Sequence, residues 1–183
     1  MTDCDPASLT PPTRMADRPE LERLVAVPTG AHPRAAVDVD GWDLGGRPKY
    51  LRLTAPGCWT LLLFLGAHCD GCLPFWAVPG APASCGLAPQ DVAAVVTRGP
   101  AHEALDRLAI LTADHPEAAD GLVMSDAAWL AYGVLGAPFF VLLDGTAVVT
   151  EGVAWSHEQV AADVGRARRR GGREADGSPR ARR

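Results

Sequence analysis

An apolar run from Trp59 to Gly66, broken only by Thr60, leads through Ala67 into His68-Cys69-Asp70-Gly71-Cys72. A continuous apolar stretch of this length reads as a strand covered on both faces, as in a parallel or mixed sheet. A Cys-x-x-Cys pair that follows such a strand and opens a helix has a definite chemistry. The first sulfur lies at the helix N-terminus, where unpaired N–H groups and the helix dipole stabilise a thiolate. The second lies one turn on, close enough to attack a mixed disulfide formed on the first. This spacing makes Cys69 the candidate nucleophile and Cys72 the candidate resolving thiol.

The chain has five cysteines, an odd number, and its first residues, Met1 to Arg14, carry acids and prolines rather than a basic segment followed by an apolar one. No secretory signal is visible there, so a cytoplasmic location and reactive thiols are expected rather than an extracellular disulfide framework. The apolar run is far shorter than the roughly 20 residues of a membrane-spanning helix, and no membrane partner is expected. Cys4 and Cys58 read as unremarkable surface or core thiols. Cys85 is open to three readings: a third redox thiol, a zinc ligand with His68, Cys69 and Cys72, or an uninvolved residue. Adjacent His68 and Cys69 make a closed tetrahedral site awkward and a second Cys-x-x-Cys is missing, so neither a metal nor another cofactor is expected.

The net charge of −5 is unevenly spread, because eight of the 17 basic residues lie between Arg166 and Arg183. Such a run most simply forms a solvated tail. Nucleic-acid binding is disfavoured by the acidic body and by the lack of interleaved aromatic residues.

With 183 residues, 48% of them apolar, the chain is long enough for one sizeable core and short for two. Residues 1–22 read as a disordered leader, 23–165 as the folded domain and 166–183 as a basic disordered tail. Val37, Val39, the glycine-rich stretch Gly41 to Gly46, and Tyr50, Leu51 and Leu53 suggest a hairpin. Asp91 to Thr97 reads as a second buried strand, followed by a helix carrying Leu105, Leu108 and Ala109. Gly121 to Met124 is a short strand, and Ser125 or Asp126 caps the helix of Ala128, Trp129 and Tyr132. Phe139 to Leu143 and Ala147 to Val153 flank the turn Asp144-Gly145, and a last helix starts at Ser156. The order is that of an α/β fold with a mixed sheet.

Two further features bear on the dithiol. A protonated His68 would favour a Cys69 thiolate, whereas Asp70 would oppose it, which makes both candidate tuning residues. Far downstream, Gly136-Ala137-Pro138 precedes a strand. Pro138 is either a candidate cis proline that leaves the Ala137 backbone free for an extended substrate, or an ordinary trans proline entering an edge strand. His102 with Glu103, and Asp114 with His115, read as solvated helix-end residues. Trp76, Trp129 and Tyr132 either line a groove or pack in the core.

The dithiol, Pro138, the turn Asp144-Gly145 and Gly152, in this order, resemble the thioredoxin-like superfamily from roughly Val37 to Gly165. The branch resembled is that of thiol-disulfide oxidoreductases related to peroxiredoxins and the cytochrome-maturation thioredoxins. The resemblance implies a three-layer sandwich, a central mixed sheet flanked by helices, with an N-terminal β-hairpin extension. It also implies that Pro138 is cis and packs against the dithiol, and that Ala137 contacts substrate backbone. The sequence departs from thioredoxin itself: His68 stands where that protein has tryptophan, and Asp70-Gly71 replaces Gly-Pro. Leu61 to Leu65 lacks the buried acid often found in that strand among the general disulfide reductases. Pro74, Pro79 and Pro82 should break or rebuild the helix after Cys72, since an interior proline costs about 3 kcal/mol.

The expected function is thiol-disulfide exchange with a protein or small-molecule disulfide or thiol, supplied by an electron donor that the sequence does not identify. The alternative is a non-catalytic thioredoxin-like binding module or redox switch. Peroxide reduction ranks last, because the Thr-x-x-Cys motif is absent at Cys69.

Overall fold

The computed structural model describes residues 34–53, 58–145 and 147–175, with side chains as far as Gly171. The leader assigned to residues 1–22, with Cys4, and the end of the basic tail, 176–183, lie outside the described residues. Strands β1 (Arg34–Ala35), β2 (Val39–Trp42), β3 (Pro48–Leu51), β4 (Trp59–Phe64), β5 (Val92–Thr97), β6 (Leu122–Met124), β7 (Phe139–Asp144) and β8 (Ala147–Val153) form one mixed sheet. Their order is β1-β8-β7-β4-β5-β6-β2-β3. Among the described residues, helices α1 (Leu105–Asp114), α2 (Pro116–Gly121), α3 (Asp126–Ala131) and α4 (His157–Ala175) and two 3-10 segments, Asp70–Gly80 and Pro82–Cys85, complete the secondary structure.

The apolar run becomes β4 at the centre of the sheet. It pairs parallel to β5 from Thr60↔Val92 to Phe64↔Val96, and antiparallel to β7 from Trp59↔Asp144 to Phe64↔Phe139. Its backbone groups are therefore used on both sides, and its side chains are shared between two cores because successive residues of a strand point to opposite faces. Leu61, Leu63 and Leu65 pack with Phe75, Trp76, Val78, Leu108, Phe140, Leu142, Val160 and Val164. Leu62 and Phe64 pack on the other face with Val96, Trp129, Tyr132, Val141 and Leu143. Each fully buried leucine here contributes about 2 kcal/mol of hydrophobic stabilisation. This is the expected three-layer arrangement, with β2 and β3 forming the hairpin from Val39↔Leu51 to Trp42↔Pro48.

The prolines rebuild the segment after Cys69, as expected: it is 3-10 over all of Asp70–Gly80. Pro74 and Pro79 have no N–H to give to the carbonyl four residues back, and their rings crowd it. The chain closes i to i+3 bonds instead, as from the Cys72 N–H to the Cys69 carbonyl at 2.9 Å and from Ala81 to Val78 at 3.0 Å.

The last helix passes Gly165, where the sequence reading ends the domain, and continues through Arg166 to Ala175. Val160, Val164 and Ala167 recur at helical spacing and are buried, so the apolar stripe runs into the segment assigned to the tail. Arg168 pairs with Asp91 and lies over the Trp59 ring, 5.2 Å from its centroid. A positive side chain with a buried carboxylate partner belongs to the packed domain, whatever the charge run around it suggests.

Trp76, Trp129 and Tyr132 are core residues. Phe64 meets Trp129 edge-on at 5.5 Å, and the Tyr132 hydroxyl donates to the Val37 carbonyl at 2.6 Å. The Ser125 side chain caps α3 by accepting the Ala128 N–H at 3.1 Å.

Candidate active site around the Cys69–Cys72 disulfide

The chain leaves β4 at the end where Leu65 still bonds to Val96 on β5. It turns at once, the Cys69 N–H donating to the Gly66 carbonyl at 3.3 Å. Cys69 stands at the N-cap of the 3-10 segment in extended conformation, with its first turn open to the site. Cys69 and Cys72 are joined in a disulfide, their Cα atoms 5.2 Å apart. Cys69 is half-buried and Cys72 fully buried. Cys69 is thus the more exposed residue of the pair.

His68, Asp70 and Gly71 are exposed around the pair. Gly71 faces Pro138: a Cβ at Gly71 would sit 3.5 Å from the Pro138 Cδ. The Ala137–Pro138 peptide bond is cis. The Pro138 carbonyl accepts the Ala154 N–H at 3.1 Å, which ties this turn to the end of β8. Ala137 is half-buried and touches both cores. Gly71 and Pro138, 67 positions apart in the chain, thus meet at one end of the sheet because β7 pairs with β4.

A carboxylate joins them from a third element. The Glu103 Oε2 accepts the Ala67 N–H at 3.1 Å. A Cβ built on Gly66 would lie 3.8 Å from the Glu103 Oε1 and 3.7 Å from the Cys69 Cβ. Glu103 is half-buried, so its assignment as a solvated helix-end residue is corrected. Its local sequence is unremarkable, but parallel strands β4 and β5 end at the same edge of the sheet, and the loop after β5 has to run beside the loop that carries the cysteines.

No family model matches the sequence, and no curated protein matches it. Solved structures do. The structure of MTB DsbF in its mixed oxidised and reduced forms aligns with a TM-score of 0.53 at 18% identity, covering 70% of this chain and 94% of that one. A secreted Mycobacterium tuberculosis disulfide oxidoreductase homologous to E. coli DsbE aligns at 0.51 and 19%, covering 70% and 95%. A putative thiol:disulfide interchange protein DsbE from Chlorobium tepidum aligns at 0.56 and 17%, covering 75% and 97%.

The fold is thioredoxin-like.

Within this thioredoxin-like frame Cys85 packs in the same core as Cys72. It is a free, buried cysteine, and burial pushes its thiol up to about 11. Among the described residues no three His, Cys, Asp or Glu side chains converge in a group able to hold a metal ion. His157, at the start of α4, steadies the far side of the 3-10 segment: its Nε2 lies 3.0 Å from the Pro74 carbonyl, and its ring meets Phe75 edge-on at 5.1 Å. Three large apolar side chains within two residues in the chain of Cys72, Ala137 and Ala154 are exposed: Leu73, Leu135 and Trp155, at 41%, 96% and 63%.

Proposed function

We propose that this chain is a thiol-disulfide oxidoreductase that cycles the Cys69–Cys72 pair. The observation that carries the reading is the asymmetric disulfide at the end of the central strand, with Gly71 against Pro138. In the reduced protein, the Cys69 thiolate attacks one sulfur of a substrate disulfide. The S–S bond of the substrate breaks, a mixed disulfide forms on Cys69, and the displaced substrate thiolate takes a proton. The Cys72 thiolate then attacks the Cys69 sulfur, releasing the second substrate thiol and leaving Cys69–Cys72 oxidised. A dithiol donor reverses these steps. His68 and Asp70, of opposite charge tendency, would tune the first thiolate.

The substrate class favoured is an extended polypeptide that carries a disulfide or thiol. Ala137 offers backbone groups beside Pro138, and the exposed Leu73, Leu135 and Trp155 offer apolar contact around the reacting sulfur. A cytoplasmic setting would favour reduction of the substrate.

The test is turnover of a protein disulfide such as insulin by the wild type, Cys69→Ser and Cys72→Ser. Cys69→Ser is expected to lose turnover at least 100-fold, and Cys72→Ser to accumulate mixed disulfides on Cys69, about one per protein. Equal turnover in wild type and Cys69→Ser would remove the nucleophile. A Cys72→Ser protein that traps no thiol partner would favour the other reading, a thioredoxin-like binding module with the dithiol as a switch.

A further inference from the structure

We propose that Glu103 is a positioning residue that sets the redox balance of the pair: its carboxylate holds the turn into Cys69 and its charge opposes a thiolate there. The inference rests on the redox reading given above and goes beyond it, since neither the Cys-x-x-Cys motif nor Pro138 implies this residue.

The placement is held from both ends. On one side, His102 Nδ1 lies 3.0 Å from the Asp126 Oδ2 at the start of α3, with Arg98 Nη1 3.9 Å from the other oxygen. On the other side, Glu103 itself accepts the Ala67 N–H. The loop between β5 and α1 is therefore pinned across the end of the sheet, and its carboxylate is delivered behind Cys69. Gly66 leaves the space between them open: a Cβ there would touch both the Glu103 Oε1 and the Cys69 Cβ. No apolar side chain at Gly66 screens one from the other.

Among the described residues, the titratable groups beside Cys69 are His68 and Asp70 on its own loop, both exposed, and Glu103 from the loop after β5, half-buried. His157 faces the same 3-10 segment from α4, through Pro74, and the β7 side brings Ala137 and Pro138 without charge. A half-buried carboxylate is screened less by water than an exposed one, so Glu103 outweighs Asp70 per unit distance. The strand β4 has no acid of its own, and Glu103 supplies one from its parallel neighbour.

The sign follows from the exchange with glutathione. Two glutathione thiols reduce the Cys69–Cys72 disulfide: the protein S–S bond breaks, one glutathione S–S bond forms, and two electrons pass to the protein. The two protons go to Cys69 and Cys72, or one goes to solvent when Cys69 remains a thiolate. Thiolate formation stabilises the reduced protein. A carboxylate that disfavours the thiolate thus favours the disulfide and makes the dithiol a stronger reductant.

Glu103→Gln separates charge from scaffolding, because the amide oxygen still accepts the Ala67 N–H. The expected result is a glutathione equilibrium shifted about three- to tenfold toward the dithiol. The midpoint of the Cys69 thiolate absorbance titration should move to lower pH by about 0.5 to 1 unit, with thermal stability unchanged. Glu103→Ala should show the same redox shift and lose stability as well. Wild-type equilibrium and titration in Glu103→Gln would overturn the proposal, leaving Glu103 as a structural cap. A wild-type pair that does not exchange with glutathione at all would overturn the redox reading itself, and this inference with it.

Discussion

Cys85 shows how far one side chain's environment sets its chemistry. Its thiol is pushed up to about 11 first by burial, then by the Glu158 charge, against an opposing hydrogen bond from Ser84. The nucleophile in alkylation is the thiolate. Iodoacetamide at pH 8 should therefore label the half-buried Cys58 well before Cys85, which should react only in urea; mass spectrometry of the labelled peptides checks this. The folded value lies above the ordinary value of 9.0, so the native state binds more protons than the unfolded one between these points. This contribution to stability is complete below about pH 9 and is lost as pH rises through about 11. Urea midpoints measured from pH 8 to pH 11 should fall less steeply in Cys85→Ala than in wild type. For Cys69 and Cys72 the residue types and spacing were enough to name a pair. For Glu103 they were not, because its role comes from a neighbour 36 residues away and not from its own sequence context.

At the scale of elements, Asp91 joins the start of β5, the start of β4 and the far part of α4. It accepts the Trp59 N–H at 3.2 Å and the Ala88 N–H at 2.6 Å, and it pairs with Arg168. Asp91→Ala would leave two backbone donors and a partly buried guanidinium without their acceptor, at a cost of about 3–5 kcal/mol. Arg168→Ala leaves the carboxylate still bonded to both N–H groups and should cost about 1–2 kcal/mol. Denaturant unfolding of the two variants checks the order, and equal losses would mean that the ion pair alone carries the effect. The existence of β4, β5, β7, β8 and α1 was legible because apolar continuity and periodicity record burial directly. The form of the segment after Cys72 was legible only as an interruption. Proline forbids regular α bonding, and packing of Phe75, Trp76 and Val78 into the core then selected the 3-10 form.

On the scale of the whole molecule, Leu73, Leu135 and Trp155 are large apolar side chains that the core does not use. If a polypeptide is the substrate, Trp155→Ala should raise KM for a protein disulfide about three- to tenfold while leaving the rate with a small-molecule disulfide unchanged. Equal effects on both substrates would place Trp155 in the chemistry or the scaffold instead. The sequence by itself determined the chemical part of this protein: a buried strand that ends in two thiols at helical spacing, a proline far downstream, and an α/β order that resembles a known architecture. Those features are local, and local sequence suffices for them. Only the tertiary structure decided that α4 extends into the basic run, that Trp76, Trp129 and Tyr132 belong to the core, and that Glu103 stands behind Cys69. Each of these depends on which strands become neighbours, and strand pairing is settled by long-range burial of both faces of the sheet rather than by any one segment.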